Sequence, residues 1–128
     1  WNLLWQVAEP LISEAHKRGI GVVNSAPYAS GILATGNQEN SRVAYRIPSQ
    51  KVIERVKNIE AICQKYKVPL AAAALQFSLR DQRLDSTVVG ISSPDQVKET
   101  LRLAQLPITD ELWKELKPLA IKEGDPEK

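Results

Sequence analysis

The fold class follows from one stretch, Ser86-Thr87-Val88-Val89-Gly90-Ile91-Ser92-Ser93-Pro94-Asp95-Gln96. Its first five residues are mostly β-branched and too few for a helix, which is typical of a short strand inside a sheet. Ser93 is a preferred helix N-cap, Pro94 suits the first helical position, and Gln96 follows the cap by three residues, as in a capping box. A strand that leads directly into a capped helix indicates a parallel α/β fold.

Another predicted strand lies earlier in the chain. Residues 9–18 predict a helix, with Pro10 in its first turn and Gly19 after its end. Ile20-Gly21-Val22-Val23-Asn24 is too brief for a helix and does not alternate in polarity, so we expect a strand that is covered on both faces. Residues 25–49 lack periodicity and predict a long loop, a feature that is often functional or mobile in compact domains.

The remaining segments predict helices from the spacing of their apolar residues. Ser49 is the expected N-cap of a helix that runs through Cys63, and an alanine-rich helix spans residues 70–79. Residues 121–128 form a charged tail that we expect to fray. The helix after Ser93 carries Val97, Leu101 and Leu103, and a last helix starts at Thr109, with Leu112, Trp113 and Leu116 on its packing face.

Strands that alternate with helices predict a parallel sheet with right-handed crossovers. Two strands alone cannot form a stable sheet, because each would present a bare edge and an uncovered face. We therefore expect either that further polypeptide completes the sheet or that the chain dimerises.

The composition argues against several classes of protein. The 17 Lys and Arg residues nearly balance the 15 Asp and Glu residues, and both signs are interspersed, so no nucleic-acid partner is expected. No apolar stretch approaches the roughly 18 residues that a membrane span needs, so no membrane partner is expected either. One cysteine and one histidine cannot build a Cys/His metal cluster, and a lone cysteine favours a reducing, cytoplasmic setting.

The first candidate site is Ser25-Ala26-Pro27-Tyr28-Ala29-Ser30-Gly31-Ile32-Leu33, which follows the earlier strand. Ligands of parallel α/β folds bind at the carboxyl ends of the strands. Small residues in this segment would let a ligand approach the backbone, Ser25 and Ser30 offer hydroxyl groups, and Tyr28 offers a planar face. The alternative is a plain turn in which Tyr28 belongs to the core.

The second candidate site is the loop at residues 90–96, where the later strand ends and a helix begins. Backbone N–H groups without helical partners and the positive end of the helix dipole favour an anion at such a place. In (β/α)8 barrels the loops after the last two strands often form a phosphate site of this kind. An ordinary capped helix is the alternative, and Asp95 in the first turn argues against a phosphate.

Other reactive side chains are predicted to be structural. His16 lies among charged residues of a helix, and no serine and carboxylate accompany it at a recognisable spacing. Cys63 lies on the apolar face of its helix and is expected to be a small core residue. The sequence contains no P-loop and no metal-binding motif.

At these segments the chain resembles the aldo-keto reductases, in the carboxyl-terminal half of their (β/α)8 barrel. Residues 21–33 are similar to the family's Gly-Val-x-Ala-Tyr-Ser-Pro-Leu-Gly-x-Gly-Leu-Leu segment at strand seven. Residues 68–77 are similar to its Val-(Pro)-x-Ala-x-x-Ala-Leu-x-(Trp/Phe) helix, and residues 88–101 to its phosphate segment at strand eight. The alanine-rich helix and the opening Trp1-Asn2-Leu3-Leu4 look most like the branch of aldose and galactose dehydrogenases.

The resemblance implies an α/β fold, namely a partial TIM barrel that comprises about strands six to eight over residues 1–120, followed by the tail at 121–128. It also implies a bound dinucleotide, NAD or NADP, in an extended pose over the barrel mouth. Ser25 stands where many members place a tyrosine that stacks on the nicotinamide ring. The positions that match the family's cofactor segments are Ser25, Pro27, Tyr28, Ser30, Gly31, Gly90, Ile91, Ser92, Ser93, Gln96 and Glu99.

The resemblance also bears on which dinucleotide is bound. Members that prefer NADP place Lys or Arg at the positions of Ser92 and Gln96, because a ribose 2′-phosphate needs cationic donors. The side chains of Ser92 and Gln96 are neutral. They therefore favour NAD, or weak discrimination between the two cofactors.

The family's catalytic tyrosine, lysine, aspartate and histidine belong to earlier strands, and Tyr28, Tyr45 and Tyr66 do not match the catalytic tyrosine. We therefore expect this chain to supply the dinucleotide loops of an oxidoreductase for a sugar or carbonyl substrate, and to turn over no substrate alone. One alternative is a non-catalytic truncated barrel that dimerises or binds a partner. Another is a phosphate-binding barrel of different chemistry, such as an aldolase.

Overall fold

The computed structural model describes residues 1–39, 41–43 and 46–124, and the predicted alternation of helices and strands is confirmed there. Short 3₁₀ turns occur at Ala29–Gly31 and Lys117–Leu119. The helices and strands are α1 (Glu9–Lys17), β1 (Val23–Ser25), α2 (Ile32–Thr35), α3 (Gln50–Lys65), α4 (Leu70–Leu79), β2 (Ser86–Val88), α5 (Pro94–Gln105) and α6 (Asp110–Leu116).

The two strands pair in parallel, as predicted, with Val23 opposite Ser86 and Ser25 opposite Val88. Both strands are shorter than expected, since β1 begins at Val23 rather than residue 20 and β2 ends at Val88 rather than residue 90. The expectation that both faces are covered is wrong for this chain, because Val23 is 63% exposed and Val88 is 53% exposed. Among the described residues only the face of the sheet towards α4 is packed, and the opposite face is open.

Local sequence signals locate most helices correctly. Ser49 accepts a hydrogen bond from the N–H of Val52, and Ser93 accepts one from the N–H of Gln96, as expected of N-caps. The alanine-rich helix α4 has the predicted bounds. Thr109 is the residue before α6 rather than its first residue, and its side chain makes no capping bond.

Two predictions of structure are corrected. The predicted long loop contains α2, a four-residue helix whose Ile32 and Leu33 are buried in the core. Such a short helix cannot show an apolar period. On α5 only Leu103 is buried, whereas Val97 and Leu101 face solvent. Tyr45, which we placed in the loop, and the tail residues 125–128 lie outside the described part of the chain.

The main core lies between α2, α3, α4, α6 and the first residues of the chain. Helix α3 contributes Val56, Ile59 and Cys63 at helical spacing, and α4 contributes alanines that let the neighbouring helices approach closely. A smaller cluster joins α4 to α5 through Ala72, Leu75 and Leu103. A helix layer of this kind holds the sheet from one side.

The two ends of the described chain are tied together. The N–H of Ile121 donates to the carbonyl of Leu4 at 2.8 Å, and the N–H of Gln6 donates to the carbonyl of Ile121 at 2.8 Å. Arg55 on α3 donates to the carbonyl of Leu119 at 2.8 Å. Ile121, which the sequence assigned to a fraying tail, is therefore anchored by backbone pairing.

The buried thiol of Cys63 gives a first prediction. Burial raises the pKa of this thiol to about 11, so very little thiolate exists in the folded protein at pH 8. We expect alkylation of Cys63 by iodoacetamide to be slower in buffer than in denaturing urea by roughly two orders of magnitude. Equal rates in the two solvents, measured by mass spectrometry at pH 8, would show that the thiol is not in the core.

Candidate functional site

The parallel register of the sheet brings the two candidate loops to the same edge. Because Ser25 lies opposite Val88, the segment after Ser25 and the segment after Val88 leave the sheet side by side. Ser25 is the last residue of β1 rather than the first residue of the loop, and it is exposed on the open face. The carboxyl edge of the sheet is the position at which parallel α/β folds bind ligands.

The loop after β1 has an unusual backbone conformation. Ala26, Ala29 and Ser30 have φ angles of 55°, 48° and 59°, and Gly31 has a φ of 100°. Residues with a Cβ atom rarely adopt this left-handed region, and such strain persists only where surrounding structure enforces it. The side chain of Pro27 is fully buried and supports the turn, so its own contact with a ligand would be made through the backbone.

Tyr28 connects the loop to the core and to α5. It is half-buried and packs against both apolar clusters, and its carbonyl accepts hydrogen bonds from the N–H groups of Gly31 and Leu33. Burial raises the pKa of its phenol, and the negative charge of Glu99 raises it further. Tyr28 therefore packs on the core, as the alternative expected, and its contact with a ligand stays a prediction.

The loop after β2 is held by its own side chains. The N–H of Ser92 donates to Oε1 of Gln96 at 2.7 Å, and the Ser92 hydroxyl donates to the same atom at 3.1 Å. The capping box is therefore shifted by one residue, because Gln96 accepts from Ser92 rather than from Ser93. Gly90, Ile91 and Ser92 are exposed, and a Cβ atom added at Gly90 would meet open space.

Helix α5 is fixed in place at both ends. Its first turn is capped by Ser93, and Gln76 on α4 donates to the carbonyls of Leu103 and Leu106 at 2.7 and 2.8 Å. The Glu99 carboxylate accepts two 2.7 Å hydrogen bonds from the guanidinium of Arg102, which lower the pKa of the carboxyl group. Glu99 thus remains an exposed acceptor of fixed position, one turn beyond the candidate anion loop.

A polar cavity of about 440 Å³ adjoins the first loop and was missed from the sequence. Ser41 shapes it, because its hydroxyl accepts from the N–H of Gln38 at 2.7 Å. Arg42 and Glu39 give the lining of the cavity one positive and one negative side chain. The only sequence signal was an arginine in a polar loop close behind the candidate segment. The cavity is lined by Ser30, Gly31, Ile32, Thr35, Gln38, Glu39, Ser41 and Arg42.

Residues 1–121 match the model of the aldo/keto reductase family. The chain belongs to this family. It is 36% identical over 118 residues to a pyridoxal 4-dehydrogenase of Microbacterium luteolum and 34% identical over 118 residues to a D-threo-aldose 1-dehydrogenase of a Pseudomonas species. These alignments cover 91% of this chain and 34% and 36% of the relatives, so the chain spans about a third of their length.

Other comparisons agree with this assignment. An L-galactose dehydrogenase of Arabidopsis thaliana is 29% identical over 91 residues, which is 71% of this chain and 27% of the relative. The expected resemblance to the aldose and galactose dehydrogenases is therefore confirmed.

Solved structures show the same fold. The holo form of an aldo-keto reductase from Bacillus halodurans superposes with a TM-score of 0.76 at 22% identity, covering 96% of this chain and 41% of that one. A glycerol dehydrogenase from Gluconobacter oxydans gives a TM-score of 0.72 at 18% identity, covering 93% and 40%. The α/β arrangement with its small parallel sheet is consistent with part of the family's barrel. Within the described residues no helix is long and apolar enough to cross a membrane.

Proposed function

We propose that this chain forms the dinucleotide-binding part of an NAD(P)-dependent oxidoreductase, and that its cofactor is NAD. In this proposal residues 1–120 correspond to strands six to eight of the barrel with their helices, and 121–128 form a tail. The observation that carries the proposal is the in-register parallel pairing of β1 with β2, which brings the two family-matching loops to one edge.

The residues at this edge fit an extended, phosphate-containing ligand. The backbone is approachable at Gly90, where a side chain would project into free space, and at Gly31, whose φ of 100° favours glycine. Ser92 and Ser93 lie before the first turn of α5, where the helix dipole favours an anion. The bound dinucleotide would supply the hydride chemistry, and these loops would fix its position.

The neutral side chains of Ser92 and Gln96 support NAD over NADP. In the structure they are already joined by two hydrogen bonds, so they present hydroxyl and amide groups and no cation to the ligand. A ribose with free hydroxyl groups can exchange hydrogen bonds with such groups, whereas a 2′-phosphate would bring two negative charges near Asp95, and residues 89–96 contain no cationic side chain to pair with them.

Arg42 is the residue we add to the proposed site. It lines the cavity that also contains Ser30 and Gly31, in the segment that resembles the family's pyrophosphate loop. A guanidinium at this position would balance the charge of the pyrophosphate, which the loop after β2 cannot do with its own side chains.

In this proposal the residues that transfer protons during the reaction are not part of this chain. Its residues would bind and orient the dinucleotide, and a sugar or carbonyl substrate would be held by residues on other strands. We therefore expect no reduction of NAD with an aldose by the purified chain. Measurable turnover would contradict this assignment of roles.

A direct test measures the binding of NADH to the chain and to an Arg42→Gln variant. The signal is the fluorescence anisotropy of the nicotinamide. Loss of one charge-assisted contact at an exposed position is expected to weaken binding about fivefold to tenfold. Arg18→Gln is the matched control, because it removes an exposed arginine just after the last residue of α1, outside the proposed site. Unchanged affinity in Arg42→Gln would remove this residue from the site, and absence of binding in the parent chain would contradict the proposal.

A second candidate function is a non-catalytic module that dimerises. It is favoured by the open face of the sheet, where Val23 and Val88 are exposed. Sedimentation equilibrium separates the two functions. A dimer that Val88→Lys dissociates, together with no NADH binding, would favour the module, whereas NADH binding by a monomer would exclude it.

A further inference from the structure

A cavity of about 310 Å³ lies near the carboxyl ends of α4 and α6, against the first residues of the chain. It shares no lining residue with the two loops described above. Its charged lining residues are Glu9, Arg80, Asp81, Arg83 and Lys117. The proposed function assigns no role to this cavity.

The walls of this cavity are aromatic. The rings of Trp1 and Phe77 are in contact, with centroids 5.4 Å apart and planes inclined by 38°. Trp113 borders the cavity from α6, and Leu3 and Leu116 complete the apolar lining. A flat apolar group is a good occupant of such a space, because offset or tilted ring contacts add to the burial of its surface.

Some charged side chains around the cavity form ion pairs, and others do not. Arg83 is fully engaged, since its guanidinium forms ion pairs with Glu9 and Asp81 and also donates to the Ser13 hydroxyl. Both carboxylates of the lining, Glu9 and Asp81, are therefore paired with Arg83. Within the described residues, Arg80 has no carboxylate within 4.0 Å, and its guanidinium lies over the Trp113 ring at 4.5 Å from the centroid. Lys117 likewise forms no ion pair within that part of the chain.

We propose that this cavity binds a small aryl carboxylate. The aromatic ring would lie among Trp1, Phe77 and Trp113, and the carboxylate would accept hydrogen bonds from Arg80. An arginine stacked on an aromatic ring keeps its outer N–H groups free in a fixed plane, and these match the two oxygens of a carboxylate. A cationic ligand is disfavoured, because both carboxylates of the lining are occupied by Arg83.

The probe for this site is benzoate, titrated into the chain while tryptophan fluorescence is recorded. Trp1 and Trp113 line the cavity, so saturable quenching is the expected signal. Benzyl alcohol keeps the ring and lacks the charge, and acetate keeps the charge and lacks the ring. Each is expected to bind at least about tenfold more weakly than benzoate, because each forgoes one of the two interactions.

Variants of Arg80 distinguish specific binding in this cavity from non-specific binding elsewhere on the protein. Arg80→Gln is expected to weaken benzoate binding about tenfold, and Arg80→Lys to restore only part of the affinity, because lysine keeps the charge and loses the planar fork. Arg18→Gln, at an exposed position just after α1, is expected to leave the affinity unchanged. Circular dichroism would confirm that each variant is folded.

Three outcomes would overturn the proposal. They are the absence of saturable quenching by benzoate, equal affinity for benzoate and benzyl alcohol, and equal effects of Arg80→Gln and Arg18→Gln. Because no residue of this cavity belongs to the proposed dinucleotide site, NADH binding is expected to be the same with and without saturating benzoate.

Discussion

The pair of substitutions Ser92→Lys and Gln96→Arg is expected to shift binding from NADH towards NADPH. The two positions flank the start of α5, where the amide oxygen of Gln96 accepts hydrogen bonds from the N–H and the hydroxyl of Ser92. Two cations in this place would make charge-assisted hydrogen bonds to a 2′-phosphate that serine and glutamine cannot make. The ratio of the two dissociation constants is expected to change by roughly tenfold to a hundredfold.

The two dissociation constants are measured by titrating the protein with NADH and with NADPH while nicotinamide fluorescence is recorded. Ser92→Ala with Gln96→Ala breaks the same internal hydrogen bonds without adding charge. Asn58→Lys with Gln64→Arg adds the same charge on α3, away from the site. Both controls are expected to keep the parent ratio of affinities. If the cationic pair also keeps that ratio, these positions do not face the adenosine ribose.

The substitution Asn24→Ala is expected to cause the largest loss of stability among the polar positions described here. Asn24 is 5% exposed on β1, and its amide donates to the carbonyl of Trp1 at 2.9 Å and to the Ser78 hydroxyl at 2.7 Å. The Ser78 hydroxyl is in turn 2.6 Å from that of Thr87 on β2. Removing the amide breaks its hydrogen bonds to the Trp1 carbonyl and the Ser78 hydroxyl and creates a cavity, at a cost of about 2–4 kcal/mol.

Urea unfolding followed by circular dichroism measures this loss. Asn58→Ala, an exposed asparagine on α3, is the matched control and is expected to change the free energy of unfolding by less than about 0.5 kcal/mol. In the double variant Asn24→Ala with Ser78→Ala, the two losses are expected not to add, because both remove the same hydrogen bond. A loss in Asn24→Ala as small as that in Asn58→Ala would show that the buried network does not hold the sheet to α4.

Local signals in the sequence were sufficient to predict several helix boundaries and the N-caps of two helices. Ser93 and Pro94 fix the start of α5, and the bounds of α4 follow from its apolar run and the polar residues after it. The parallel pairing also followed from the alternation of helices and strands. Such features need no knowledge of distant contacts.

Features that depend on distant contacts could not be predicted. Asn24 ends an apolar run, and nothing near it reveals that its partner is a serine 54 residues away on α4. Ala26 and Ala29 adopt φ angles that sequence alone would assign to glycine, and they flank Pro27 and Tyr28, whose side chains pack into the core. The exposure of Val97 and Leu101 likewise depends on what covers α5, which their spacing does not reveal.

In the candidate site, too, some features could be predicted from the sequence and others could not. Family-like segments indicated both loops, and the carboxyl-edge rule predicted that they would meet. The shifted capping pair of Ser92 and Gln96, and the cavity that contains Arg42, depend on side-chain positions that no motif encodes. The sequence therefore predicted that the two loops would lie side by side, but it did not predict the side-chain contacts around them.

Dinucleotide binding by the two loops is tested most directly by two-dimensional ¹H–¹⁵N spectra of the labelled chain, recorded while NAD is added to millimolar concentration. We expect chemical-shift changes to concentrate on the backbone amides of the non-proline residues in 25–31 and 90–99, with smaller changes near Arg42. Shifts confined to other parts of the chain, or no shifts at any concentration, would contradict the claim that these two loops hold a dinucleotide together.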